Sequence, residues 1–342
     1  MNARKGALPL LAALALSSCV RPETREVRAL MGSTCEIAVW DADRARALRA
    51  VRAAFAEMQA LDALLSTYKP ASEISRLNAR AGGALEKIDP RTFEALRAAK
   101  DASAQSDGAF DPTVGPLLRA WKLREPGVVP VGPEVTEFDR ARQNLGWRDL
   151  VLDESSGSAR LARAGMELDL GGIGKGFAVD RAVDILKEAG VPSALVNFSG
   201  NLRAYGRPPR GRAWKFEVRH PREEGRAMAV VEFEEGALST SGDYERRTTI
   251  RLEGKSYTHI VDPKSGRPVE GVASVTVFAP TATEADALST AAFVMGPRAG
   301  AEFLAKRPGV QGLLVGCEPK SPSRLLPPVL TPGWEGRLKV TL

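Results

Sequence analysis

A glycine-rich stretch, DLGGIGKG at residues 169–176, constrains the fold of this chain more than any other feature. The segment MELDLGGIGKGFAVDRAVDILKEAG around it predicts a strand, a glycine turn and a helix. A Walker A loop would need glycine at Asp169 and Ser or Thr at Gly176. The dinucleotide fingerprint begun at Gly172 would need glycine where Phe177 stands. The stretch therefore belongs to neither familiar type of nucleotide-binding loop.

The rest of the chain mixes helical and strand patterns. We expect Asp41 to cap a long helix, Asp89-Pro90 to open a helix that ends near Gln105, and residues 66–83 to form a polar loop. Short strand patterns and turns fill most of the second half. No repeat or linker interrupts residues 27–342. The sequence therefore predicts an α+β fold, a single compact domain that mixes antiparallel sheet with helices.

Charge argues against nucleic acid as a partner. The 342 residues carry a net charge of +6, from 48 basic and 42 acidic side chains. The basic residues alternate with acidic ones, and no basic block is interleaved with aromatic residues. We therefore expect no nucleic-acid binding, and at most a weak preference for small anions.

The amino terminus reads as an export signal. Arg4 and Lys5 precede the apolar run ALPLLAALAL, which is too short to span a bilayer, and LSSC follows at residues 16–19. This ending resembles a bacterial lipobox. We expect residues 1–18 to be a cleaved lipoprotein signal peptide, Cys19 to carry lipid, and residues 19–26 to be a tether. The protein would then be exported and anchored to a membrane facing the periplasm. The alternative is an ordinary cleaved signal with a coincidental cysteine.

The other two cysteines, Cys35 and Cys317, show no zinc-type spacing. An exported chain sits where disulfides form, so the two either pair or remain free.

Four groups of residues are candidates for chemistry. His259 is one of two histidines and lies just before a tight turn, where it suits a general base or, alternatively, a strand histidine with a structural partner. The other histidine, His220, precedes a proline and reads as structural or exposed. Asp286 shares a predicted helix face with Ser289 and Thr290; these oxygens suit Mg²⁺ or Ca²⁺, or ordinary helix capping.

The third group, Phe110 and Asp111 in GAFDPTVGP, offers an aromatic face and a carboxylate to a cleft, or forms a plain turn. The fourth is ALSTSGDYE, whose residues 239–242 supply hydroxyls and a flexible backbone, again without a decisive assignment.

The order of eight motifs is more specific than any one of them. LMGST, LLSTYKPASEISRLN, GAFDPTVGPLLRAW, LDLGGIGKGFAVDRAVDIL, VNFSGN, LSTSGDYE, YTHIVDPKSGRPV and SVTVFAPTATEADALSTAAFVMG together resemble, in this order, the ApbE family of FAD:protein FMN transferases. The resemblance covers about residues 27–316 and implies a T-fold-like architecture. From it we expect a flavin transferase domain over residues 27–342.

The resemblance also implies a set of site residues. Residues similar to those that bind FAD in the family are Met31, Tyr68, Ala109, Phe110, Asp111, Asp169, Lys175 and Val261. Residues similar to its Mg²⁺ ligands are Gly172 through its carbonyl, Asp286, Ser289 and Thr290, although several members have Asp at the position of Ser289. His259 would be the catalytic base.

The activity implied is Mg²⁺-dependent transfer of FMN from FAD to a Ser or Thr hydroxyl of an acceptor protein, with release of AMP. The acceptor would be a flavinylated subunit of a membrane redox complex, since no acceptor motif occurs in this chain. Two alternatives are an FAD pyrophosphatase that releases FMN and AMP, and a lipoprotein that binds FAD without catalysis.

Overall fold

A computed structural model describes residues 22–123, 132–208, 213–244, 250–252 and 255–341. The predicted signal peptide and Cys19 lie outside the described residues. The α-helices in these ranges are α1 (Arg44–Leu65), α2 (Glu73–Ala79), α3 (Pro90–Gln105), α4 (Gly115–Ala120), α5 (Val135–Gln143), α6 (Gly174–Glu188), α7 (Ala282–Met295) and α8 (Pro297–Ala305).

The strands follow the same order along the chain. They are β1 (Glu23–Leu30), β2 (Ser33–Trp40), β3 (Glu86–Lys87), β4 (Leu150–Asp153), β5 (Ser158–Leu161), β6 (Ala194–Phe198), β7 (Asn201–Tyr205), β8 (Trp214–Arg219), β9 (Ala227–Phe233), β10 (Gly236–Gly242), β11 (Ile250–Leu252), β12 (Lys255–Tyr257), β13 (Val272–Ala279), β14 (Gln311–Glu318), β15 (Ser321–Leu325), β16 (Val329–Leu330) and β17 (Leu338–Val340).

A nine-stranded sheet forms the centre of the fold, in the order β1-β2-β6-β7-β10-β13-β14-β15, with β16 also paired to β14. The strand pairs that build it are antiparallel. Every residue of β13 is buried, because this central strand is covered on both faces. The predicted α+β class, with antiparallel sheet and helices together, is confirmed.

The two faces of the sheet have different coverings. Because side chains alternate along a strand, Ile37 and Val39 pack in the cluster that contains α1, α6 and α7, whereas Ala38 and Trp40 pack against β8 and β9. The latter strands form a small sheet in the order β17-β9-β8. The domain thus has a helix layer, a central sheet and a small sheet.

Several local predictions are confirmed and others are corrected. Asp89 caps α3 by accepting from the Arg91 N–H, as the sequence indicated. The cap of α1, however, is Asp43 and not Asp41, whose carboxylate instead bonds the Arg46 guanidinium. The predicted polar loop at 66–83 contains α2. Strand β1 begins at Glu23, so residues 23–26 belong to the sheet and not to the tether.

The predicted strand before the glycine turn is wrong, because its backbone groups bind elsewhere. The Asn78 side chain accepts from the Leu168 N–H and donates to the Leu168 carbonyl, at 2.7 and 3.0 Å. The Asp169 N–H donates to the Pro112 carbonyl at 2.7 Å. Residues 166–169 therefore make one isolated bridge, from Glu167 to Val114, and no strand. The predicted helix after the turn is confirmed as α6.

Cys35 and Cys317 are both buried and free. They lie in the clusters on opposite faces of the central sheet, which keeps them apart. The disulfide alternative is therefore wrong. Within the described ranges, no helix combines the length and apolarity needed to cross a membrane.

Candidate active site

A cavity of about 1610 Å³ opens where the hairpin turns of the central sheet meet the glycine loop and α7. It exceeds the roughly 300–1,000 Å³ of an ordinary small-molecule pocket. All but one of the sequence-predicted binding, metal and catalytic residues of the domain line it. These are Met31, Tyr68, Ala109, Phe110, Asp111, Asp169, Gly172, Lys175, His259, Val261, Asp286 and Thr290. Residues that are far apart in the sequence therefore come together at one place.

Two hairpin turns form one rim of the cavity. Met31 and Gly32 join β1 to β2 with φ angles of 46° and 70°, and Ser199 and Gly200 join β6 to β7 with φ angles of 48° and 90°. Two residues of positive φ are typical of the type I′ turn that matches strand twist. The hydroxyls of Ser33 and Ser199 lie 2.5 Å apart and hold the two turns together. Met31 is thereby held at the cavity.

Asp111 organises another wall. Its carboxylate accepts from the Thr113 N–H and hydroxyl, at 2.7 and 2.6 Å, and from the Trp147 N–H at 3.2 Å. Burial raises the pKa of Asp111, while these hydrogen bonds act in the opposite direction. The carboxylate thus fixes the loop that presents Phe110 to the cavity.

At two positions the glycine loop lies against α7 at distances shorter than an ordinary β-carbon contact. A β-carbon on Gly176 would lie 2.2 Å from the Ala282 carbonyl oxygen and 2.8 Å from the Asp286 β-carbon. A β-carbon on Gly172 would lie 3.0 Å from the Thr290 hydroxyl oxygen. Gly172 and Gly176 of DLGGIGKG therefore allow close approach of backbone to α7.

Asp286 is almost completely buried at the floor of the cavity, 5% exposed. Its carboxylate accepts from the Gly176 N–H at 2.9 Å. Burial raises the pKa of Asp286, whereas the Lys175 ammonium and the Gly176 N–H lower it. Thr290 lies one turn along α7, and its hydroxyl donates to the Asp286 carbonyl at 3.2 Å. Carboxylate, hydroxyl and the Gly172 backbone thus come together.

Capping of α7 is performed by other residues. The Thr281 hydroxyl accepts from the Glu284 N–H, and the Asp180 carboxylate of α6 accepts from the N–H groups of Ala282 and Thr283 at 2.9 and 2.8 Å. The capping alternative therefore holds for Thr281 in this stretch, whereas Asp286 does not cap α7 and its carboxylate faces the cavity.

The two histidines have different surroundings. His259 is partly exposed and lines the cavity beside Val261, just before the turn at residues 263–266. His220 is buried, and its Nδ1 accepts from the N–H groups of Arg222 and Glu223 at 3.3 and 2.9 Å. His220 therefore holds a turn, and its predicted structural role is confirmed.

Comparison with known proteins agrees with this geometry. The sequence model of the ApbE family matches residues 31–314. The FAD:protein FMN transferase of Treponema pallidum is 33% identical over 300 residues, which cover 84% of this chain and 82% of the relative. That of Escherichia coli is 33% identical over 253 residues, covering 72% of this chain and 71% of the relative.

The chain belongs to the ApbE family.

Solved structures of this family have the same fold. The apo form of the flavinyl transferase ApbE from Pseudomonas stutzeri superposes with a TM-score of 0.81 at 33% identity, covering 93% of this chain and 97% of the other. The ApbE protein of Thermotoga maritima gives a TM-score of 0.80 at 30% identity, covering 86% and 94%. The mixed architecture implied by the eight motifs is confirmed.

Ser289 is the predicted site residue that the structure keeps away from the cavity. Its side chain is fully buried and points to β10, where its hydroxyl lies 3.2 Å from that of Ser239 and 2.9 Å from that of Ser241. It also donates to the Asp286 carbonyl at 2.9 Å. The prediction that Ser289 is a metal ligand is therefore wrong: spacing on α7 placed it beside Asp286, but helix rotation turns it toward the sheet.

Sequence reasoning missed several cavity residues. Asn201, within VNFSGN, residues 216–219 of β8 and Tyr244 all line the cavity, although the sequence assigns none of them a role there. One signal was available for Asn201, since an amide is unfavourable inside a strand unless a partner requires it. Nothing in the sequence of β8 distinguishes its cavity side from an ordinary strand.

Proposed function

We propose that this chain transfers FMN from FAD to a hydroxyl of an acceptor protein through a phosphoester bond, releasing AMP. The curated relatives bear the name FAD:protein FMN transferase. The observation that carries the proposal is the convergence of a base, a buried carboxylate and a glycine loop at one cavity. The volume of this cavity, about 1610 Å³, exceeds that of an ordinary small-molecule pocket and supports a ligand as large as FAD.

We propose further that Asp286, Thr290 and the Gly172 carbonyl hold Mg²⁺. The donor set fits, because hard cations prefer oxygen and Mg²⁺ keeps several ligands from water or phosphate. The absent β-carbon of Gly172 leaves room beside the Thr290 hydroxyl. Among the described residues, no group of three His, Cys, Asp or Glu side chains offers a competing site. A bound Mg²⁺ would neutralise the charge that develops on the pyrophosphate.

The residues of the chain divide the reaction between them. The acceptor hydroxyl attacks the phosphorus of the FMN half, the bond from that phosphorus to the bridging oxygen breaks, and AMP leaves. His259 takes the proton of the hydroxyl, whose high pKa otherwise prevents attack. Lys175 lies at the same cavity and supplies positive charge near the phosphates. Phe110 and Met31 supply apolar surface for the flavin or adenine ring.

The direct test is incubation of the purified protein with FAD, Mg²⁺ and a Ser/Thr-containing acceptor domain. We expect flavin fluorescence on the acceptor band after denaturing electrophoresis, an acceptor mass increased by FMN, and one AMP per FMN transferred. Free FMN with no acceptor-linked flavin would replace the proposal with a pyrophosphatase. FAD binding without any AMP release would indicate a protein that only stores flavin.

His259→Ala should lower the transfer rate by about 10²–10⁴-fold, the usual contribution of a general base. FAD affinity should change little, because the proton acceptor acts only in the transition state. The matched control is His220→Asn, which keeps an acceptor for the Arg222 and Glu223 N–H groups and should transfer FMN near the unaltered rate. Equal rates for His259→Ala and His220→Asn would remove His259 from the mechanism.

We also propose that the chain is exported and held to a membrane facing the periplasm by lipid on Cys19, where its acceptor is a subunit of a membrane redox complex. The sequence LSSC after the apolar run supports this proposal. Cys19→Ala should yield an active enzyme in the soluble fraction, measured by fractionation and by incorporation of labelled lipid. A variant that still fractionates with membranes would contradict the lipid anchor.

A further inference from the structure

Asn201, the first residue of β7, is a buried amide between two charged groups. It is 3% exposed, and its side chain lies 3.2 Å from Asp286 Oδ1, 2.5 Å from Ser239 Oγ and 3.1 Å from Lys175 Nζ. A carboxylate only accepts hydrogen bonds and an ammonium only donates them. The amide nitrogen therefore faces Asp286 and Ser239, while the amide oxygen accepts from Lys175. Asn201 thus links the cation to the anion.

The direction of the Asn201 amide sets the direction of a hydroxyl chain behind Asp286. Because Ser239 Oγ accepts from Asn201, its own proton remains to be donated, and Ser289 Oγ lies 3.2 Å away as an acceptor. Ser289 Oγ then donates to the Asp286 carbonyl oxygen at 2.9 Å. The hydroxyls of Ser239 and Ser289 are at most 1% exposed, so water does not compete for these bonds. The chain begins at the Asp286 carboxylate and returns to the Asp286 backbone.

We infer that Asn201, Ser239 and Ser289 form a positioning network that orients the Asp286 carboxylate for a divalent cation. The inference rests on the proposed function, in which Asp286 is the metal ligand. A buried carboxylate with one strong donor, the Gly176 N–H, retains freedom to rotate; the second donor from Asn201 removes it. Ser289 fixes the backbone of Asp286, because its hydroxyl donates to the Asp286 carbonyl oxygen.

The test measures cation binding without turnover. Mn²⁺ is titrated into the full-length protein with FAD and no acceptor, and free Mn²⁺ is counted by electron paramagnetic resonance. Asn201→Ala should weaken Mn²⁺ binding by about 10- to 100-fold, the usual effect of losing a group that orients a ligand. Ser289→Ala should weaken it about fivefold, the value of one neutral hydrogen bond.

The matched control is Ser103→Ala in α3. The Ser103 hydroxyl is equally buried and donates to its own helix, to the Ala99 carbonyl at 2.8 Å, but does not line the cavity. It should bind Mn²⁺ as the unaltered protein does. A second measurement separates orientation from damage: in Asn201→Ala the apparent KM for Mg²⁺ should rise while saturating Mg²⁺ restores kcat for flavin transfer.

Each outcome decides the inference. Unaltered Mn²⁺ affinity in both Asn201→Ala and Ser289→Ala overturns it, as does an equal loss in Ser103→Ala. If Asn201→Ala does not fold, Ser289→Ala alone decides by the same titration. Asp286→Ala separates the two proposals: if it binds Mn²⁺ as tightly as the unaltered protein does, Asp286 is not the ligand, and the metal assignment and this inference fail together while FMN transfer still stands.

Discussion

Replacing Gly176 by alanine should destabilise the domain at the contact between α6 and α7. The new β-carbon would lie 2.2 Å from the Ala282 carbonyl oxygen, where ordinary contacts begin at 3.4 Å. In a close-packed interior α6 must then move by roughly 1 Å. The same movement separates the Gly176 N–H from the Asp286 carboxylate, which it now contacts at 2.9 Å.

The magnitude follows from these two effects. Overpacking costs about 1–3 kcal/mol, and loss of a hydrogen bond to a charged group costs about 1.5–3 kcal/mol. Alanine offsets about 1 kcal/mol of this loss, because its helix propensity is higher than that of glycine. The free energy of unfolding should therefore fall by about 1.5–5 kcal/mol. With a urea m value of about 3 kcal/mol/M, the midpoint of unfolding falls by about 1 M.

The assay is urea unfolding followed by tryptophan fluorescence, with Gly174→Ala as the matched control in the same helix. A β-carbon on Gly174 would meet the Leu170 β-carbon at 3.8 Å, an ordinary contact, so this variant should unfold at the unaltered midpoint or slightly above it. If Gly176→Ala and Gly174→Ala unfold at the same urea concentration, close approach to α7 is not the reason for the glycine.

Three further predictions concern stability and reactivity. The Arg91 guanidinium lowers the pKa of the Asp89 carboxyl. The ion pair therefore stabilises the fold above about pH 4, and this stabilisation is lost as the pH falls through the pKa of the folded state. In urea titrations below about pH 4, the difference in unfolding free energy between the unaltered protein and Asp89→Asn should shrink. Burial raises the pKa of Cys35 to about 12 and also raises that of Cys317. A thiol reagent should therefore label both cysteines in urea and neither in the native protein. Rapid labelling of the native protein would contradict the burial of these thiols. Asp180→Ala removes the acceptor for two N–H groups in the first turn of α7. In the same assay it should lower the free energy of unfolding by about 3 kcal/mol. A loss below about 0.5 kcal/mol would show that Thr281 suffices as the cap.

Local signals predicted most elements because they act over a few residues. Asp89-Pro90 correctly marked the start of α3, since a side-chain cap and a fixed φ need no distant partner. The apolar period behind residues 169–176 correctly indicated α6. By contrast, residues 166–169 have strand-like composition but no strand, because Asn78 and Pro112 bind their backbone groups from elsewhere in the chain.

The site shows the same division at the level of single side chains. Asp286, Ser289 and Thr290 are equivalent in a helix pattern, yet Asp286 and Thr290 face the cavity whereas Ser289 faces β10. The difference is set by how α7 rotates against the sheet, which depends on all the side chains packed between them. No short stretch of the sequence predicts that rotation.

By itself, the sequence of this protein determined the start of α3, the helix α6, its mixed class and, through eight ordered motifs, its family. These features follow from the secondary-structure propensities of short segments and from the order of the motifs, both of which can be read from the sequence alone. The tertiary structure decided the rest: which oxygens meet at Asp286, that the two cysteines stay apart, and why position 176 of DLGGIGKG needs glycine. Those outcomes depend on contacts between α6 and α7 and across the central sheet, and such contacts exist only after distant segments have packed together.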